Sequence, residues 1–190
     1  HVGLDFGTTN SSLAVRGPEG DVTVAVFPSI SGLTESFRSI LYFPPKSSMQ
    51  KPARRALAGP SAIARYLEDE PKGRLIQSVK SFAANRTFTS TVIAGRPYTF
   101  ANLAAIIIKE LLTEAGYPNG FEVVLDVCNT STYVPIATVI QGQLRKAGIK
   151  VNIDLTDEPT WLKKVTGGTA RLSLFKPTRA PDADTILPRF

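Results

Sequence analysis

The chain has 190 residues, of which 43% are hydrophobic and 20% charged, a composition typical of one globular core or two small domains. The single cysteine, Cys128, excludes an internal disulfide and a zinc site of clustered cysteines, and the single histidine is the first residue, which removes histidine from any catalytic scheme. The net charge of +6 comes mainly from residues 1–111, but their 13 Lys and Arg show no helical spacing and little aromatic interleaving, so we expect solvated loops and no nucleic-acid partner.

The first predicted element is a β-hairpin over residues 2–16. Apolar residues alternate with small or polar ones from Val2 to Phe6, and an apolar run resumes at Leu13. The turn between the two strands, Gly7–Asn10, contains only small or polar residues. A third strand over residues 22–27 follows, so the chain begins as an antiparallel part of a mixed sheet.

The residues of this turn are suited to binding phosphate. Gly7 lets the backbone approach a ligand closely, and the amides that follow it, with the hydroxyls of Thr8 and Thr9, can point into one concavity. Asp5 lies beside that concavity and is placed to hold a hydrated magnesium ion. The alternative interpretation is an ordinary polar turn that Asp5 merely caps.

The longer string Gly3–Ser11, GLDFGTTNS, resembles the first phosphate-binding loop of the actin-like ATPases, specifically of the seventy-kilodalton heat-shock chaperone family. The resemblance implies an actin-like, ribonuclease H-like fold. It also implies that Asp5 organises the water shell of a magnesium ion and that Thr8 and Thr9 contact the phosphates of ATP or ADP. The residues of the loop to which it assigns cofactor binding are Asp5, Gly7, Thr8, Thr9 and Asn10.

Residues 37–43 are predicted to form a strand, and an apolar stripe after Pro60 predicts a helix that ends near Leu67. The stretch 46–53 between them has no periodicity, and we expect it to be the least ordered. The segment 74–82 is similar to the part of the chaperone family in which a lysine reaches the nucleotide phosphates. Lys80 is the matching residue, and its alternative interpretation is an ordinary surface lysine.

A small hairpin is predicted over residues 91–98, followed by a helix from Phe100 to Ala115 that Thr99 caps. The chaperone resemblance extends to about Leu111, within this helix.

From Leu112 the sequence resembles instead the C-terminal part of the periplasmic solute-binding proteins that deliver peptides to ATP-driven importers. The stretches 112–126 and 141–151 carry this resemblance, which ends at residues 182–184. We know of no family that contains both sequences. We therefore interpret the chain as a chimera, engineered or natural, of an actin-like ATPase fragment (residues 1–111) and a solute-binding fragment (residues 112–190).

The second part is predicted to form a β-α-β unit, with strands over 121–127 and 151–155 and a helix from Pro135 to Gly148. We expect it to continue the mixed sheet, with helices on the sheet faces, as a single composite α/β domain over residues 1–190. A short helix over 159–165 and a strand over 170–175 follow, and residues 176–190 are expected to form an extended tail.

The main functional prediction is a protein with no efficient native activity and no catalytic residue, which retains a weak site for ATP or ADP with magnesium. The second phosphate loop of the ATPases is missing, so transition-state positioning and charge stabilisation would be lost. The alternatives are an ATP-binding domain of chaperone type and a peptide-binding or solute-binding module.

Three expectations concern the surroundings of the protein. No apolar run reaches membrane-spanning length and no charged leader with an apolar core opens the chain, so we expect no membrane partner. An exposed sheet edge could pair two chains into a homodimer. The compartment is cytoplasmic if the chaperone resemblance governs.

Overall fold

The computed structural model describes residues 2–17, 19–45, 56–85 and 87–174. The chain forms two compact units, residues 1–120 and 121–190. The predictions for the loop 46–53 and the tail 176–190 lie outside the described residues. In the described ranges, no helix has both the length and the apolar character that crossing a membrane requires.

The first unit contains eleven short strands and three helices among its described residues. The strands are β1 Val2–Phe6, β2 Asn10–Arg16, β3 Val22–Val24, β4 Phe27–Ser29, β5 Gly32–Thr34, β6 Phe37–Arg38, β7 Leu41–Phe43, β8 Leu57–Ala58, β9 Arg74–Ile76, β10 Thr91–Ile93 and β11 Arg96–Tyr98. The helices are α1 Gly59–Glu68, α2 Ser81–Ala84 and α3 Phe100–Glu114.

All strand pairs described in the first unit are antiparallel. The predicted hairpin is confirmed: β1 pairs with β2 in the register Leu4 to Leu13, and β3 and the short β6 also pair with β2. A second sheet has the order β8-β7-β9, and β4–β5 and β10–β11 are separate hairpins.

The predicted strand 37–43 is divided between two sheets, which corrects the prediction of one continuous sheet. The chain changes partners at Ser39 and Ile40: the Ser39 amide donates to the carbonyl of Thr9, and the Ile40 carbonyl accepts from the amide of Gly59. Each half of the strand therefore completes a different ladder. The antiparallel strands accordingly form several small sheets.

The core of the first unit is built from aromatic and aliphatic side chains of β4, β6, β7 and α3. Phe27 and Phe37 are fully buried, with ring centroids 5.2 Å apart in an edge-to-face arrangement. Tyr42 is fully buried as well; its hydroxyl donates to a carboxylate oxygen of Asp69 at 2.8 Å and accepts from the amide of Gly73 at 2.8 Å. Burial is the main cause that raises the pKa of Tyr42.

The predicted position of helix α3 and its predicted cap at Thr99 are both confirmed. The hydroxyl of Thr99 accepts from the amide of Asn102, and the side chain of Asn102 accepts from the amide of Thr99, which forms a reciprocal cap. Leu103, Ile107 and Leu111 are fully buried on one side.

The second unit is a parallel β-α-β arrangement. Strands β12 Phe121–Cys128 and β13 Ile149–Thr156 pair in parallel, and β14 Leu172–Ser173 pairs in parallel with the other edge of β12. Helices α4 Tyr133–Lys146 and α5 Glu158–Thr166 connect them. The α/β class and the β-α-β unit are thus confirmed. The prediction that this unit continues the sheet of the first part is wrong, because β13, β12 and β14 form a sheet of their own. The actin-like arrangement and the single composite domain stay predictions.

The apolar side chains of α4 are only partly buried. Ile136 and Val139 are exposed, and the helix buries Ala137 with the half-buried Ile140 and Leu144. The helix packs against both β12 and β13, and its remaining apolar side chains face away from these contacts.

Candidate functional site

The turn that the sequence predicts as a phosphate loop is closed by its own backbone. A Cβ atom on Gly7 would collide with the carbonyl oxygen of Asn10, so only glycine fits at this position. The carbonyl of Thr9 accepts from the amide of Ser39 at 2.9 Å, which attaches the turn to the start of the next sheet. Thr8, Thr9 and Asn10 are exposed.

Lys80 lies beside this turn. Its Nζ donates to the carbonyl oxygen of Phe6 at 2.9 Å, although the two residues are 74 positions apart in the chain. Strand β9 and helix α2 flank the lysine and bring it to the end of β1. The structure therefore places Lys80 next to Gly7, and the nucleotide-binding roles of these residues stay predictions.

Asp5 and Asn10 face a cleft of about 320 Å³. Its described lining residues are Asp5, Asn10, Ser11, Ser12, Thr34, Glu35 and Ser36. Gly7, Thr8, Thr9 and Lys80 do not belong to this lining, so the six predicted site residues divide between the cleft and the turn. Asp5 and Glu35 make the cleft acidic.

Within the described part of the chain, no three His, Cys, Asp or Glu residues lie together in a group that could hold a metal ion. Asp5 has one acidic neighbour in its cleft, Glu35. The predicted role of Asp5 in holding magnesium through water stays a prediction.

A second cleft, of about 430 Å³, shares Asn10, Thr34 and Ser36 with the first and was missed by sequence reasoning. We call it the Arg38 cleft; its described lining residues are Asn10, Ser29, Ile30, Ser31, Thr34, Ser36, Arg38, Pro60 and Ile63. The register of β2 with β6 places Asn10 opposite Arg38, and Arg38 Nη1 donates to Asn10 Oδ1 at 3.1 Å. Because these residues are 28 positions apart, no local sequence pattern could reveal the cleft.

The second unit contains a charged cluster that sequence reasoning also missed. Lys164 of α5 donates to Asp126 Oδ1 at 2.8 Å and to Asp154 Oδ2 at 2.6 Å. The two aspartates are neighbours across β12 and β13, and the side chain of Asp126 is only 7% exposed. The hydrogen bonds to Asp126 and then Asp154 raise the pKa of Lys164. The cluster attaches α5 to the sheet.

The family model described as bacterial extracellular solute-binding proteins, family 5 Middle, matches residues 83–190, more than half of the chain. The chain belongs to this family. The match begins well before Leu112, so α3, which the sequence assigns to the chaperone-like part, lies inside the family 5 region. The predicted resemblance of the second part to solute-binding proteins is thereby confirmed, and the chaperone ancestry and the chimeric origin stay predictions.

Two solved structures are similar to parts of the chain. The periplasmic binding protein DppA of an ABC transporter from Helicobacter pylori, in complex with the peptide STSA, is 28% identical over 54% of this chain and 19% of its own, with a TM-score of 0.40. HbpA2 from Haemophilus parasuis is 27% identical over 46% of this chain and 18% of its own, with a TM-score of 0.35. The chain thus spans about a fifth of the length of these two proteins. No curated protein matches the chain.

Proposed function

We propose that the chain acts as part of a solute-binding protein and that its ligands are peptides. The observation that carries the proposal is the family 5 match over residues 83–190. The resemblance of residues 112–126 and 141–151 to the peptide-delivering members supports peptides as the ligand class. The match favours a location outside the cytoplasm over the one that the chaperone resemblance implies.

The parallel sheet of the second unit is a suitable support for such a role. Its β12–β13 ladder runs over eight residue pairs, and Leu125, Val127 and Val151 are buried in it. Such a ladder holds the loops at its ends in fixed positions. Solute-binding proteins close two lobes around the peptide, so a part of one lobe supplies only some of the contacts, and we expect weak affinity.

We expect a tripeptide such as Ala-Ala-Ala to bind the 190-residue chain with a dissociation constant in the millimolar range. At a concentration ten times this constant, the gain in the free energy of unfolding is about 1.4 kcal/mol. Thermal unfolding followed by the fluorescence of Trp161, which is buried in the second unit, measures it. Free alanine at three times the molar concentration is the control. The proposal would be contradicted if alanine stabilised the chain as much as the tripeptide does, or if neither compound stabilised it.

A second candidate function is weak binding of ATP or ADP with magnesium at the first hairpin. The contact of Lys80 with the carbonyl of Phe6 favours it, because it holds a cation beside the tight turn at Gly7. Backbone amides and hydroxyls of the turn would bind the phosphates, and Asp5 would hold magnesium through water. Efficient hydrolysis is not expected, because the second phosphate loop is missing.

We expect Asp5→Asn and Lys80→Ala each to weaken the binding of magnesium-ATP about tenfold, because each variant loses one charged group that would contact the hydrated magnesium ion or the phosphates. Isothermal titration calorimetry measures the affinity. Lys109→Ala is a matched control, because Lys109 is an exposed lysine of α3 distant in sequence from the turn. Unchanged affinity in both site variants would rule out this site. Micromolar affinity with hydrolysis would favour the chaperone-type ATPase instead.

A further inference from the structure

The Arg38 cleft separates positive from negative charge within the first unit. Arg38 is the charged residue among its described lining residues, whereas the carboxylates of Asp5 and Glu35 line the neighbouring cleft. The two clefts share Asn10, Thr34 and Ser36. An anion in the Arg38 cleft would therefore lie beside the guanidinium of Arg38, and the two carboxylates line the other cleft.

Arg38 retains capacity to bind a ligand. Its Nη1 is engaged by Asn10 Oδ1, and in the described part of the chain no other side-chain partner of its guanidinium is seen. The bond to Asn10 restrains the long side chain, so less conformational entropy is lost when an anion binds. The remaining nitrogens form the fork that suits a carboxylate or a phosphate.

Hydroxyl groups surround the position that such an anion would occupy. Ser29 Oγ donates to the carbonyl of Gly32 at 2.8 Å and lies 3.3 Å from Ser31 Oγ, and Thr34 Oγ1 accepts from the amide of Ser36 at 3.1 Å. These bonds fix the hairpin β4–β5 and the residues after it. The hydroxyl of Thr34 has its acceptor side occupied, so its hydrogen remains available as a donor.

The opposite wall of the cleft is apolar. Ile30 of the hairpin tip is 69% exposed, and Pro60 and Ile63 come from the first turns of α1. Phe27 of β4 and Phe37 of β6 are fully buried and pack edge to face, which holds in place the strands that carry Ser29 and Arg38. The volume of about 430 Å³ exceeds what a phosphate ion alone would fill.

We propose that the Arg38 cleft binds a small organic anion, a carboxylate or phosphate monoester whose charged group pairs with Arg38 and whose apolar body lies against Ile30, Pro60 and Ile63. This site is separate from the solute-binding function proposed above. It shares Asn10 with the turn beside Lys80, but Gly7, Thr8, Thr9 and Lys80 do not line it.

Phenyl phosphate and benzoate are suitable probes, with phenol as the neutral control and inorganic phosphate as the control without an apolar body. We expect both aryl anions to bind the full chain at one saturable site, more tightly than phenol or inorganic phosphate. The better of the two tells whether the cleft prefers phosphate esters or carboxylates. Binding of phenol as tight as that of both anions would overturn the proposal.

Arg38→Gln, which keeps a donor for Asn10, is expected to weaken the better anion about tenfold. Arg96→Gln, at an exposed arginine of β11, is the matched control and should leave affinity unchanged. Ile30→Ser should weaken phenyl phosphate without affecting inorganic phosphate. Equal losses in Arg38→Gln and Arg96→Gln would overturn the assignment.

A map of amide chemical shifts in the unsubstituted chain does not depend on how the variants fold. The proposal expects the shifts to concentrate at Ser29–Ser31, Ser36–Arg38 and Ile63 during titration with phenyl phosphate. Shifts concentrated at Gly7–Thr9 and Lys80 would instead assign the anion to the turn and overturn the proposal.

Discussion

Replacing Gly59 by alanine is expected to lower the free energy of unfolding of the first unit by about 3 kcal/mol or more. Gly59 has a φ of +63°, and a Cβ atom there would enter the ring of Phe37. That ring is fully buried and packs against Phe27, so it has no free space to move into. The strain of the left-handed backbone and the steric overlap therefore add.

Gly95→Ala separates these two causes. Gly95 has a φ of +82° in the turn between β10 and β11, but no heavy atom lies within 4 Å of the position its Cβ would take. We expect this variant to lose only about 1 kcal/mol, the cost of backbone strain. Urea unfolding followed by circular dichroism measures both variants. Equal losses would show that Phe37 does not confine Gly59.

Elements whose causes are local could be predicted from the sequence. Thr99 and Asn102 cap α3 across three positions, and the alternation from Val2 to Phe6 indicates β1 without knowledge of any partner. The strands β8 and β9 could not be predicted, because each has only two or three residues and exists through pairing with β7. Such short strands form only because they pair with a strand distant in sequence, and this pairing leaves little trace in the local sequence pattern.

The candidate sites also differ in how far the sequence alone could predict them. Lys80 was found through a family resemblance, and the structure places it beside the turn. Arg38 was not found, since the cleft depends on the register that sets it opposite Asn10. Lys164 was not found either: its partners Asp126 and Asp154 are adjacent only because β12 and β13 pair in parallel with those residues in register.

A large loss of stability is also expected from Lys164→Met, which keeps most of the length of the side chain and removes its charge. Asp126, 7% exposed, would then lose the cation that offsets its burial, and Asp154 would lose the same partner. We expect the midpoint of thermal unfolding of the second unit to fall by at least about 5 °C at pH 7. Trp161 reports this unit, since it is buried on the same helix and donates from Nε1 to Ser173 Oγ at 3.0 Å.

Lys163→Met is the matched control, because Lys163 is the preceding residue of α5 and is exposed. Its midpoint should change little.

The dependence on pH tests whether charge is the cause. The pKa of Lys164 is raised by its hydrogen bonds to Asp126 and Asp154, so the folded unit holds this proton more tightly than the unfolded chain does. The stability that results is complete below the pKa of an unfolded lysine, about 10.4, and is lost as the pH rises through the higher folded value. The difference between the original chain and Lys164→Met should therefore be constant between pH 7 and 9 and shrink above pH 10.4. A difference that stays constant into that alkaline range would mean that the loss in Lys164→Met does not come from the charge of Lys164, since only the charge titrates.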